Sequence, residues 1–213
     1  ITRSTGQPIE LVFVETLGDQ NKDQPLHQIG GQGIFVKEVQ QAVLRGDADI
    51  AVHSAKDLPS TQSDGLVIGA WCRRRDARDA LVGKALNQLE DGATIATGSV
   101  RRRAQLLAVR PDLKFIELRG NIHTRLEKIP EGGSIVMAVA AMEVLGLTDQ
   151  IAEMLSPETF IPMVGQGCVA VECRENDDAI LSLLRTIDHE QTRFAVEVER
   201  SFLSELGLSL IHI

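Results

Sequence analysis

An α/β fold with largely parallel sheets is what this 213-residue sequence predicts, and three observations carry the expectation. Short apolar runs rich in β-branched residues alternate with segments of helical spacing along the whole chain. Polar clusters fall at the carboxyl ends of the apolar runs, where ligands bind in open parallel sheets. Gly, Pro, Asn and Asp punctuate the joints between them. Hydrophobic residues at 43% and charged residues at 24% are ordinary for a globular protein, and the length allows one large or two modest domains.

The elements follow in order. IELVFVET (9–16) reads as a strand, and LGDQNKDQPLHQIGGQG (17–33) as a loop of the length that is usually functional. IFVKEVQQAVLRGD (34–47) has apolar residues at 35, 39, 42 and 43, which is helical spacing. ADIAVHS (48–54) and GLVIGAWC (65–72) are strands, and DARDALVG (76–83) starts another. ATIATGS (93–99) is a strand ending in a turn, followed by the helix VRRRAQLLAVRP (100–111), which Pro111 stops. LKFIELRG (113–120) is a strand, and NIHTRLEKI (121–129) a helix with Asn121 as N-cap. GSIVMAVAAMEVLGL (133–147) is a strand running into a helix, and GCVAVECRE (167–175) is a strand. DDAILSLLRTID (177–188) and EQTRFAVEVERSFLSEL (190–206) are helices. The charge-dense CRRRDARD (72–79) marks a crossing between two lobes, with the return near 160–175.

Charge and composition narrow the function. A net charge of −8, a pI near 5.2, one Trp and no Tyr argue against a nucleic-acid binder, which needs basic patches or stacking platforms. Anion binding must therefore be local. Cys72, Cys168 and Cys173 fit no disulfide or zinc spacing and read as reduced thiols of a cytoplasmic protein. No run reaches membrane-spanning length, so no membrane partner is expected. The chain opens without Met, as a fragment or processed chain would.

Several strand ends carry chemistry. In TGSVRRR, Ser99 precedes a helix start whose free N–H groups favour an anion. Arg101 and Arg102 in the first turn oppose the helix dipole, so they make most sense facing a bound carboxylate or phosphate. LRGNIHTR repeats the arrangement with Arg119 and Arg125. Together the two strings describe a pocket for a ligand with several carboxylates. In HSAKDLP, Asp57 beside Lys56 can steady a developing cation or move protons, while His53 is structural.

Six strings, GGQGIFVKEV, ADIAVHSAKDLP, TGSVRRRAQL, RPDLKFIELRGNIHTRL, VGQGCVAVECR and AVEVERSFLSELG, together resemble the porphobilinogen deaminase (hydroxymethylbilane synthase) family, in the family's order and over nearly the whole chain. The resemblance implies two periplasmic-binding-protein-like lobes with mainly parallel sheets, 1–74 with 170–207 and 75–169, with the active site between them. Residues 208–213 form a tail outside the family pattern, and the family's third α+β domain is expected to be absent. It implies a cytoplasmic, monomeric transferase of tetrapyrrole (haem) biosynthesis, which condenses four porphobilinogen molecules head to tail with loss of ammonia. Its cofactor is dipyrromethane on a cysteine thioether. Asp57 matches the catalytic aspartate, and Ser54, Lys56, Ser99, Arg101, Arg102, Arg119, Arg125 and Gln166 match cofactor- and substrate-binding positions. Leu210 stands at the attachment cysteine's place, Gln28 and Gln32 where the family often has lysine, and Val144 where it has arginine. The chain therefore reads as truncated at both ends. The competing expectation is a non-catalytic two-lobe binder of a polycarboxylate.

Overall fold

A computed structural model describes residues 1–14 and 36–206 of the chain. They form two compact units. One takes the described residues up to Arg75 and from Cys168 onward, and the other is Asp76–Gly167. Each is an α/β/α sandwich.

In the first unit, β1 (Ile50–Ser54), β8 (Val169–Arg174) and β2 (Leu66–Trp71) form one sheet in that order. Side chains alternate along these strands, so neighbours serve opposite faces. Trp71 and Ala170 pack on one face with Val196 of α7 (Glu190–Glu205). Ala70, Val171 and Cys173 pack on the other with Leu184 of α6 (Asp178–Leu184). The helix expected at 34–47 is α2, Lys37–Arg45, and Gly46 ends it at φ 82°, a backbone that favours glycine.

In the second unit the sheet order is β5-β4-β6-β3-β7. The strands are Lys114–Ile116, Thr94–Ala96, Ser134–Ala138, Asp79–Gly83 and Ile151–Met154 respectively. Leu81, Ile95 and Val136 bury one face with Leu106 of α3 (Val100–Val109). Val82, Ala96, Ile135 and Met137 bury the other with Met142 of α5 (Val139–Leu145). Each fully buried aliphatic contributes roughly 1.5–3 kcal/mol. Gly133 lets β6 start against β4, since a Cβ there would lie 2.0 Å from the Thr94 carbonyl oxygen.

Strand direction is mainly shared within each sheet. In the second unit β5, β4, β6 and β7 run one way, and in the first β1 and β2 do. The exceptions are β3 and β8, each the first strand after the chain passes from one unit to the other. Both insert between co-directed strands, so most ladders in the structure are antiparallel.

Two expectations need correction. Residues 9–14 of the expected first strand form no strand; Leu11 is 74% and Phe13 91% exposed. β-branched composition makes a strand only where it pairs with a neighbour, and these residues pair with no described strand. Instead a single helical turn, α1, spans Thr2–Thr5. β7 went unread because its residues alternate between half-buried and exposed without a strong apolar run. Gln28, Gln32 and Leu210 lie outside the described residues. No described helix is long and apolar enough to cross a membrane.

Candidate functional site

β3 opens on Asp79, which is fully buried, and a carboxylate there requires partners. α3 supplies them from its first turn. Arg101 donates from Nη2 to Asp79 Oδ2 at 2.6 Å, and Arg102 donates from Nε and Nη2 to Oδ1 at 3.0 and 2.6 Å. Gln166, 1% exposed, donates from Nε2 to the same Oδ1 at 3.0 Å and to the Ala77 carbonyl at 2.7 Å. Arg102 Nη1 also donates to the Val136 carbonyl at 2.9 Å. Arg101 Nη1 donates to the Ile161 carbonyl, and its guanidinium lies 5.8 Å from the Phe160 ring centroid. Burial alone would raise the Asp79 carboxyl; Arg102 and then Arg101 outweigh it and hold it below the ordinary 3.8. Burial lowers the Arg101 guanidinium, with Asp79 opposing.

Asp79 thus supplies a carboxylate of the chain's own to this cationic helix start. Sequence reasoning looked for it in a ligand and missed Asp79. The signal was present: an acid heading the otherwise apolar DALVG cannot be buried alone. Arg101 Nε is buried without a hydrogen-bond partner among the described residues.

The second basic string lies beside the first. Ser99 caps α3, accepting from the Arg102 N–H at 3.4 Å. Asn121 caps α4 (Ile122–Leu126), accepting from the Thr124 N–H at 2.9 Å. Arg125 of α4 donates from Nε to the Gly120 carbonyl at 2.7 Å. Its guanidinium is pushed down by burial first, then by the like charges of Arg102 and Arg119. Three arginines therefore share one locality at the ends of β4 and β5. Val144, on α5, is 64% exposed.

In the first unit, β1 delivers Ser54 to the surface, and a 3₁₀ turn over Ala55–Asp57 follows. Lys56 is half-buried and Asp57 reaches solvent. Protein crowded around Asp57 nevertheless raises its carboxyl, with Lys56 and then His53 pulling it down. His53 is buried, its Nε2 3.0 Å from Glu172 Oε2. Gln40 Nε2 donates to both Glu172 oxygens at 3.0 and 3.1 Å. Arg200 of α7 donates to the Leu58 and Pro59 carbonyls, fastening the chain just beyond Asp57. Ser54, Lys56 and Asp57 are gathered in one unit; Ser99, Arg101, Arg102, Arg119, Arg125 and Gln166 belong to the other.

None of the cysteines is disposed as a reactive thiolate. Burial pushes Cys168 up to about 12 and raises Cys72 and Cys173. No group of three or more His, Cys, Asp or Glu among the described residues could hold a metal ion.

One unit gathers arginines at strand ends, and the other carries an aspartate with a raised pKa at a strand end. Residues 1–182 match the family model described as "Porphobilinogen deaminase, dipyromethane cofactor binding domain". A probable porphobilinogen deaminase of Methanopyrus kandleri is 44% identical over 204 residues, 94% of this chain and 68% of that protein. The porphobilinogen deaminase of Brevibacillus brevis is 46% identical over 202 residues, 92% of this chain and 65% of that one. The chain belongs to the porphobilinogen deaminase family, and spans about two thirds of these relatives' length. Among solved structures, the periplasmic VFT2 domain of Bordetella pertussis BvgS is similar at a TM-score of 0.43 and 17% identity, over 96% of this chain and 78% of that one.

Proposed function

We propose that this chain carries the substrate-binding units of a hydroxymethylbilane synthase-type transferase of tetrapyrrole biosynthesis, joining porphobilinogen units head to tail with loss of ammonia. The observation that carries the reading is the arginine locality of the second unit. Arg125 feels the charges of Arg102 and Arg119, and its described hydrogen bond goes to a carbonyl rather than an acid. Such a locality favours a ligand bearing several carboxylates. Porphobilinogen carries two, an acetate and a propionate, and a growing pyrrole chain gathers more.

The same residues fit a dipyrromethane. Among the described residues Arg101 Nε is an unpartnered donor, and the Arg125 Nε donates to a carbonyl. Ser99, Arg101, Arg102, Arg119, Arg125 and Gln166 are the residues of the second unit that would hold it and the substrate; in the first unit Ser54 and Lys56 match binding positions of the family. Bound, the group supplies a covalently held primer for chain growth. Leu210 stands where the family resemblance puts its cysteine.

Asp57 supports the chemistry. Departure of ammonia from the aminomethyl carbon leaves a cationic methylene-pyrrole. The α-carbon of the next pyrrole forms the new C–C bond and gives up its proton. A carboxylate beside the pyrrole N–H stabilises the cation, and a raised pKa makes it a better proton acceptor than an ordinary aspartate.

Calorimetric titration with porphobilinogen tests the binding half of this reading. Saturable binding is expected, at least tenfold weaker for Arg125→Ala. Equal binding by the two proteins would remove the arginine locality from the substrate site.

A further inference from the structure

The first unit contains a cavity of about 430 Å³ that the proposed chemistry does not use. It lies between α7, β2 and the Leu58–Gln62 segment, and its size is that of a small-ligand pocket, roughly 300–1,000 Å³. Trp71 and Ile68 give it an apolar wall, while Ser60, Ser201 and Ser204 contribute hydroxyls.

Its charged residues are unequally satisfied. Arg193 is held by Asp188 at 2.8 and 2.9 Å and by Glu197 at 3.0 Å. Glu197 also accepts from Trp71 Nε1 at 3.3 Å. Glu172 is occupied by Gln40 and His53. Arg200 differs: its hydrogen bonds go to the Leu58 and Pro59 carbonyls, and no carboxylate among the described residues bonds to it. Trp71 lies 5.9 Å beneath its guanidinium. Burial lowers the Arg200 pKa, and the Glu172 charge opposes that from a distance. A half-buried guanidinium that meets only neutral acceptors gains most from a planar, two-oxygen anion.

We propose that this cavity binds a small carboxylate carried on an apolar body, with Arg200 as its receptor and Trp71 as its apolar wall. The carboxylate takes donors that now hold the Leu58 and Pro59 carbonyls. Occupancy is thereby coupled to the turn that presents Asp57.

The chain provides its own reporter. Trp71 is its one tryptophan and it has no tyrosine, so emission excited at long wavelength reads the cavity wall directly. Cyclohexanecarboxylate, which does not absorb there, is the probe, and cyclohexanecarboxamide is its neutral control. The expected result is a saturable change with the carboxylate and at least tenfold weaker binding of the carboxamide. Arg200→Gln should weaken the carboxylate at least tenfold, and Arg200→Lys less. Should Arg200→Gln fail to fold, Ser201→Phe fills the cavity mouth without removing the cation and should also abolish the change. A non-saturable response, equal binding of acid and amide, or full binding by Ser201→Phe overturns the proposal. Arg125→Ala lies in the other unit and should leave probe binding intact, so failure here and failure of the substrate reading are separately visible.

Discussion

Asp57 and Asp79 belong to different units, and their surroundings push their carboxyls in opposite directions. Asp79 is fully buried and held low by two guanidiniums. Asp57 reaches solvent, has crowding against it, and is raised. Exposure alone would assign them the reverse. Partners decide: Arg101, Arg102 and Gln166 consume the lone pairs of Asp79, which leaves it a structural anion. Lys56 and His53 only partly offset the cost of charge at Asp57, which leaves it available for chemistry. An aspartate's role here is set by how completely its neighbours satisfy it.

The largest effect should come from removing the charge at Asp79. Asp79→Asn leaves two buried guanidiniums without a counter-ion, a defect that typically costs about 3–5 kcal/mol. Denaturant unfolding should show a loss of that order; a loss below about 1 kcal/mol would break the comparison. The pH dependence has a definite sign. A carboxyl held below its unfolded value contributes stability that is complete above 3.8 and is lost as pH falls through the lower folded value. The wild-type protein should therefore lose stability in that acid window, and Asp79→Asn should lose less.

Next in size is the catalytic role proposed for Asp57. Asp57→Asn keeps the shape and removes the charge, so in an enzyme that carries the primer's cysteine porphobilinogen turnover should drop about 10²-fold or more, as when one preorganised electrostatic group is deleted. Binding measured by calorimetry should change little, since the arginines of the other unit remain. Near-normal turnover would take Asp57 out of the mechanism.

How much of this was legible in the sequence differs between the units. The helices read well because their apolar spacing and caps are local: Asn121 caps where the sequence says it should, and Ser99, read as preceding a helix start, caps that helix. The strand core read well wherever both faces are buried, as in SIVMA and LVIGAW. Reading failed where the answer depended on distant partners. IELVFV has strand composition but pairs with no described strand. The reversal of β3 and β8 follows from the chain passing between units, which no local pattern records. Arg101 and Arg102 were recognised as needing an anion, but Asp79 lies 22 residues from Arg101, and its pairing is a property of the fold. Arg200, far along the chain from Pro59, is of the same kind.

A smaller effect tests one of the local readings. Asn121→Ala removes the acceptor for the Thr124 N–H, and caps of this type contribute about 1 kcal/mol. The loss should be near that figure and confined to the second unit, seen as faster amide exchange in α4.

The smallest effect is the most discriminating, because its sign is opposite to that at Asp79. A carboxyl whose folded pKa is raised binds its proton more tightly folded than unfolded. Stability then falls as pH rises from 3.8 through the folded value, and the ionised form carries that cost at neutral pH. Asp57→Asn should therefore raise the unfolding free energy slightly at pH 7, by less than about 1 kcal/mol because solvent reaches the group. The gain should vanish below pH 3.8, where wild-type Asp57 is itself protonated. A substitution that abolishes turnover while stabilising the fold is what a residue kept for chemistry rather than for packing should give. If Asp57→Asn instead destabilised the protein at neutral pH as Asp79→Asn does, the two aspartates would be equivalent structural anions, and the division of labour between the units would fail.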